Sequence, residues 1–155
     1  MKARFAIALG CLSLGATLAA YGQKVESGKG LELPKGAAIS VVVDLIDVAN
    51  KAGLNLNNIQ ARVELQLRRN GIIVQQNDDF PYFIYVNVAV LDRFYSISVA
   101  FYRFVTFKVD DRFFLNKAAT YNKFSTGTFS DSEFIMQSVL NHIDILSNEI
   151  LKAAQ

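Results

Sequence analysis

His142 is the single histidine of the chain, and the only cysteine stands at position 11. These two counts bound most of the chemistry the protein could do. His142 lies three residues after Val139 and directly before Ile143, on the flank of an apolar helical stripe. As a general base it would need a nucleophile or carboxylate brought to it by tertiary structure, and no motif supplies one. Its expected role is packing or hydrogen bonding along the helix. A Cys/His zinc site is out of reach for such a composition. Asp78-Asp79 and Asp110-Asp111 offer oxygen ligands but lack the alternating spacing of a calcium loop, and they read as solvated strand ends that discourage aggregation. The other acids cluster at predicted turns and helix surfaces. A carboxylate pair for glycoside hydrolysis would depend on spacing that only the fold can set. Gly-x-Ser-x-Gly, a phosphate-binding glycine loop and a dinucleotide fingerprint are all missing from the sequence. Ser125-Thr126-Gly127-Thr128 reads as a flexible loop. No catalytic residue, metal ligand or cofactor is therefore expected, and an enzyme using an unrecognised carboxylate or His142 site is the least favoured reading.

Binding residues are easier to nominate. Arg103 interrupts an apolar strand face between Phe101 and Val105, so it must be paired, emerge at a sheet rim, or mark a β-bulge. The chain holds 12 Phe and 6 Tyr, most of them between Phe80 and Phe114. Phe94, Tyr102 and Phe104 share the semi-polar side of one long predicted strand. With Arg103, they form the candidate interaction surface, facing another protein or a second copy. An apolar pocket under the same aromatic sheet is the alternative.

Charge and targeting narrow the partner further. Met1-Lys2-Ala3-Arg4 is followed by an uncharged apolar run to Ala20, in the order of a cleavable secretory signal over residues 1–20. The run is too short and too rich in small residues for a permanent transmembrane span. Cys11 lacks the usual leucine three places earlier, so lipid anchoring through it is not expected. With Lys2 and Arg4 gone, the 16 Lys and Arg fall to 14, matching the 14 Asp and Glu. A mature chain of zero formal charge gives no support for nucleic-acid binding. Absence of a disulfide in a small exported domain favours a bacterial periplasm.

The elements that must hold these residues follow from periodicity. Residues 21–35 form an extended lead-in, and residues 36–155 form one small α/β domain. Ala38 to Ile46 alternates as a strand, although a helix could begin within 44–51. Asn57-Asn58-Ile59-Gln60 looks like a cap ahead of a helix whose core stripe is Ile59, Val63 and Leu67. Asn70-Gly71 ends it, and Ile72 to Val74 reads as a short strand completing a β-α-β unit. Tyr82 to Val90 and Phe94 to Val109 alternate as strands, with Leu91-Asp92-Arg93 and Asp110-Asp111-Arg112 as hairpin turns. Tyr95, Ile97, Val99, Phe101, Val105, Phe107 and Val109 fall on the expected core face of the second. Leu115 to Tyr121 is a last strand, and 122–129 a loop. Ser130 to Glu133 caps a final helix with stripe Ile135, Val139, Ile143, Leu146 and Ile150. The predicted class is α+β: a mostly antiparallel four- to five-stranded sheet with two helices on one face, in the order β-α-β-β-β-β-α.

That order over residues 36–152, with its helix ending at Asn70-Gly71, the strand Ile72 to Val74 and a long final helix, resembles the small α/β domains of bacterial envelope proteins. Among these are the N-terminal domain of the Tol-system β-propeller protein and domains of curli-secretion and flagellar-assembly lipoproteins. The resemblance implies docking or assembly without an active site. The expectation is therefore an exported, periplasmic, non-catalytic interaction domain of the cell envelope, with an envelope protein or a second copy as partner and an apolar ligand or lipid as the alternative.

Overall fold

The structure is a computed structural model and describes residues 30–46, 53–76 and 81–155. The signal-like segment with Cys11, the start of the lead-in, the second half of the 44–51 ambiguity, and Asp78-Asp79 lie outside the described residues. Four strands and two helices follow one another: β1 (Ser40–Ile46), α1 (Leu56–Arg69), β2 (Tyr82–Leu91), β3 (Phe94–Val109), β4 (Arg112–Thr128) and α2 (Ser132–Ala153). The strands lie in sequence order, β1 parallel to β2 and the rest antiparallel. A parallel pair needs a crossover, and α1 supplies it. This is the mixed sheet with both helices on one face that the sequence predicts.

The helical stripes set the core. Ile59, Val63 and Leu67 on α1, and Ile135, Val139, Ile143 and Leu146 on α2, are fully buried against Ile84, Val86, Val88, Ile97, Val99 and Phe101 of the sheet. Both helices start one or two residues from where the sequence puts their caps. Asn55 caps α1, its side chain accepting from the Asn58 N–H at 3.1 Å, and Asp131 caps α2, accepting from the Phe134 N–H at 2.8 Å. A polar seam joins the helices where they leave the sheet. Arg62 donates two 2.8 Å bonds to Glu133, and Gln66 and Asn70 both donate to Asp144 Oδ1. The Arg62 bonds hold the Glu133 carboxyl down at about 2.

Asp92, Asp110 and Asp111 take φ of 53°, 47° and 64°, the left-handed conformation that two-residue hairpin turns require, so both Asp-bearing segments are the meander turns the sequence predicts. Three expectations need correction. Ile72 to Val74 contributes one parallel bridge, Ile39 to Val74, rather than a strand. Residues 122–129 are not a loop, because β4 continues to Thr128 and pairs with β3 as far as Phe94. Val105, Phe107 and Val109 do not join the core: β2 stops pairing at Tyr82 opposite Arg103, so among the described residues no strand pairs with the outer half of the β3–β4 hairpin on that side and no helix packs on it.

Candidate interaction surface

Strand alternation sorts the sheet into two faces. Ile97, Val99 and Phe101 turn to the helices, which puts Phe94, Tyr102 and Phe104 on the opposite face, covered by neither described helix. The structure brings two of these three together. Phe83 of β2 stacks on Tyr102 with centroids 4.8 Å apart and planes within 6°, and Tyr85 meets Tyr102 edge-on at 6.4 Å. Lys117 of β4 completes the cluster, its ammonium 5.1 Å from the Phe83 centroid and 5.4 Å from that of Phe104. Tyr85 donates to Asp44 of β1 at 2.9 Å, and this bond, aided by burial, raises the phenol above its ordinary range. Such aromatic ladders form here because the register sets Phe83 opposite Tyr102 and Phe104 opposite Lys117.

Phe94 belongs to the other end of the sheet. Eight residues separate it from Tyr102 along β3, about 26 Å of extended chain. It stands 63% exposed beside an open concavity of about 680 Å³ bounded by Ile46, Leu91, Phe94, Tyr95 and Thr126. On the helix side of the same end, the Tyr95 ring lies against Gly127, where an added Cβ would come within 3.1 Å of it, and meets Phe134 of α2 edge-on. A glycine in a strand that admits an aromatic ring so closely has a packing role.

Arg103 faces the helix side at the rim where β2 ends. Its Nη1 lies 3.5 Å from Glu32 Oε2, while its Nε is buried without a hydrogen-bond partner among the described residues. Next to it the β3–β4 register slips between Phe101 and Tyr102, leaving Thr120 as the extra residue of a β-bulge. Thr120 donates to the Gly30 carbonyl at 2.6 Å, and a Cβ on Gly30 would sit 2.9 Å from the Thr120 Cβ. Leu31 is buried in the core, so residues 30–33 are tied to the bulge and do not hang free. The bulge and rim alternatives for Arg103 thus occur together, and the residue lies on the opposite side of the sheet from Tyr102 and Phe104.

His142 is 8% exposed, and its Nε2 shares a 2.8 Å hydrogen bond with Ser125 Oγ of β4, while Nδ1 has no partner among the described residues. Burial first, and then the nearby Lys123 charge, lower its pKa and keep the ring neutral. The pair has the distance of a nucleophile and base, but Nδ1 lacks the orienting group that such a base uses. Among the described residues no three His, Cys, Asp or Glu side chains stand close enough to hold a metal ion. Lys108 pairs with Asp111 across the hairpin turn.

Sequence reasoning missed the outer hairpin. Phe113 and Leu115 are 73% and 67% exposed, and Phe107 stacks on Phe114 at 5.7 Å. A signal for it was available: β3 has 16 residues and a two-residue turn follows, so its partner strand can pair for the same length.

Among the described residues no helix is long and apolar enough to cross a membrane. No protein-family model matches the sequence, and no curated protein matches it. Among solved structures it is similar to a minor lipoprotein from Acinetobacter baumannii, at 13% identity and a TM-score of 0.28, over 74% of this chain and 89% of that one.

Proposed function

We propose that this chain is an exported, non-catalytic interaction domain of a bacterial cell envelope, and that it docks through the face of its sheet opposite the helices. The observation that carries the reading is the cluster on that face, in which Phe83 stacks on Tyr102, Tyr85 meets Tyr102 edge-on and Lys117 lies over both Phe83 and Phe104, with neither described helix packed on it. Aromatic rings with polar tips or a nearby ammonium are the side chains that most often anchor protein interfaces. The basic and apolar N-terminal segment over residues 1–20 and the balanced charge of the remainder support export and a protein partner rather than a polyanion. The test is a crosslinking pull-down of the processed protein from its native envelope fraction. Tyr102→Ser with Phe104→Ser should abolish the recovered complex while leaving the circular dichroism spectrum unchanged. A well-folded double variant that recovers the same partner refutes this use of the face.

A second reading is favoured by the concavity beside Phe94, whose size and apolar walls suit a lipid chain or small apolar ligand. Native mass spectrometry of the purified chain should then reveal a retained ligand that Phe94→Asn releases. A ligand-free protein that takes up no lipid probe argues against it.

A further inference from the structure

We propose that the outer edge of β4 is a strand-addition site for an extended acidic segment of a partner protein, a proposal that rests on the docking reading above and names the kind of partner. β4 is a sheet edge of 17 residues, and among the described residues no strand pairs with its outer side. An edge of that length, bearing exposed Phe113, Leu115 and Phe124, is a template for another chain unless something blunts it.

Hydrogen-bond parity identifies the outward-facing groups. Val109 and Arg112 flank the two-residue turn and therefore form a hydrogen-bonded pair, so Phe113, Leu115 and Lys117 direct their N–H groups outward. The Lys117 N–H agrees with this: it donates at 2.8 Å to the side-chain Oδ1 of Asn116 and not to a neighbouring strand. Main-chain pairing along this edge would give affinity, and the alternating side chains would give selectivity.

Charge selects the occupant. β4 carries Arg112, Lys117 and Lys123 and no acidic residue, whereas the two cations of its neighbour β3 are already paired, Arg103 with Glu32 and Lys108 with Asp111. A second copy paired edge to edge would place six cations and no carboxylate on one ribbon, whatever the register, which disfavours self-association. A strand that alternates carboxylates with aliphatic side chains would set its carboxylates on the face of Arg112 and Lys123 and its aliphatic side chains on the face of the exposed Phe113 and Leu115.

The experiment uses the full chain and two fluorescein-labelled twelve-residue peptides, one alternating valine with glutamate and the other valine with lysine. The glutamate peptide should bind, with affinity falling as salt rises, and the lysine peptide should bind about tenfold more weakly or worse. Bound glutamate peptide should slow hydrogen exchange at the amides of Phe113, Leu115 and Lys117. Leu115→Pro removes an outward N–H that no ladder uses, so it should keep the fold and lose the peptide. Should that variant fail to fold, Arg112→Glu with Lys123→Glu, two positions on one face, should reverse the peptide preference. Equal affinity for the two peptides, binding of neither, unchanged exchange at those amides, or self-association that protects them overturns the proposal. If the peptides fail while the Tyr102 and Phe104 variant still loses its envelope complex, the edge proposal falls alone; a retained complex with normal peptide binding refutes the sheet-face reading instead.

Discussion

Replacing Ser125 with alanine should destabilise the fold more than replacing His142 with leucine. The imidazole is 8% exposed, Nε2 holds one hydrogen bond at 2.8 Å to Ser125, and Nδ1 has no partner among the described residues. Ser125→Ala leaves a second buried ring nitrogen unsatisfied, a loss of about 1–3 kcal/mol. His142→Leu removes both ring nitrogens and exchanges a buried polar ring for an apolar side chain in an apolar setting. The Ser125 hydroxyl is only half-buried and can turn to water, so this variant should lie within about 1 kcal/mol of the parent, as should the double variant. Urea unfolding at neutral pH, read with the slope held constant across variants, gives the comparison.

The same site fixes the sign of a pH effect. The folded state lowers the His142 pKa below the unfolded value near 6.5, so the unfolded chain binds more protons as the solution acidifies. The stability associated with the neutral ring is whole above that value and is lost as pH falls toward the folded pKa, by at most about 1.4 kcal/mol per pH unit for one proton. His142→Leu should flatten this slope between pH 7 and pH 5. A Ser125→Ala cost below about 0.5 kcal/mol, or an unchanged slope in His142→Leu, would refute the picture of a buried neutral ring that depends on Ser125.

Two further outcomes test the division between core and outer hairpin and the polar seam between the helices. Phe101→Ala should cost about 3–5 kcal/mol, because the ring is fully buried between sheet and helices, whereas Phe113→Ala in the outer hairpin should change stability by less than about 0.5 kcal/mol; thermal unfolding of the two variants checks the contrast. Arg62→Gln should return the Glu133 carboxyl from about 2 toward the ordinary carboxylate range, since the guanidinium bonds are the first cause of its depression, and carboxyl carbon NMR titration reads this directly.

Local sequence was enough for whatever depends on periodicity. The stripes Ile59-Val63-Leu67 and Ile135-Val139-Ile143 specify helices with one buried side, since a 3.6-residue repeat brings those positions together whatever else the chain does. Asp92 and Asp110-Asp111 mark the turns for a similarly local reason, the tolerance of aspartate for positive φ. The placement of Tyr102 and Phe104 on one face follows from the two-residue repeat of a strand. The proposal of export also rests on sequence, being carried by order and composition at the N-terminus.

Tertiary structure decided what depends on where elements stop. Val105, Phe107 and Val109 carry the same alternating signal as Ile97 and Val99, but β2 ends opposite Arg103, so identical periodicity yields core in one half of β3 and an exposed ribbon in the other. The Arg103 partner, Glu32, lies in a segment with no periodic signal, and Thr120 becomes a bulge at the point where that segment crosses. Ser125 meets His142 only because β4 runs on to Thr128 beneath α2. Contacts of this kind join residues with no local pattern between them, and only the packing of whole elements brings them within hydrogen-bond distance.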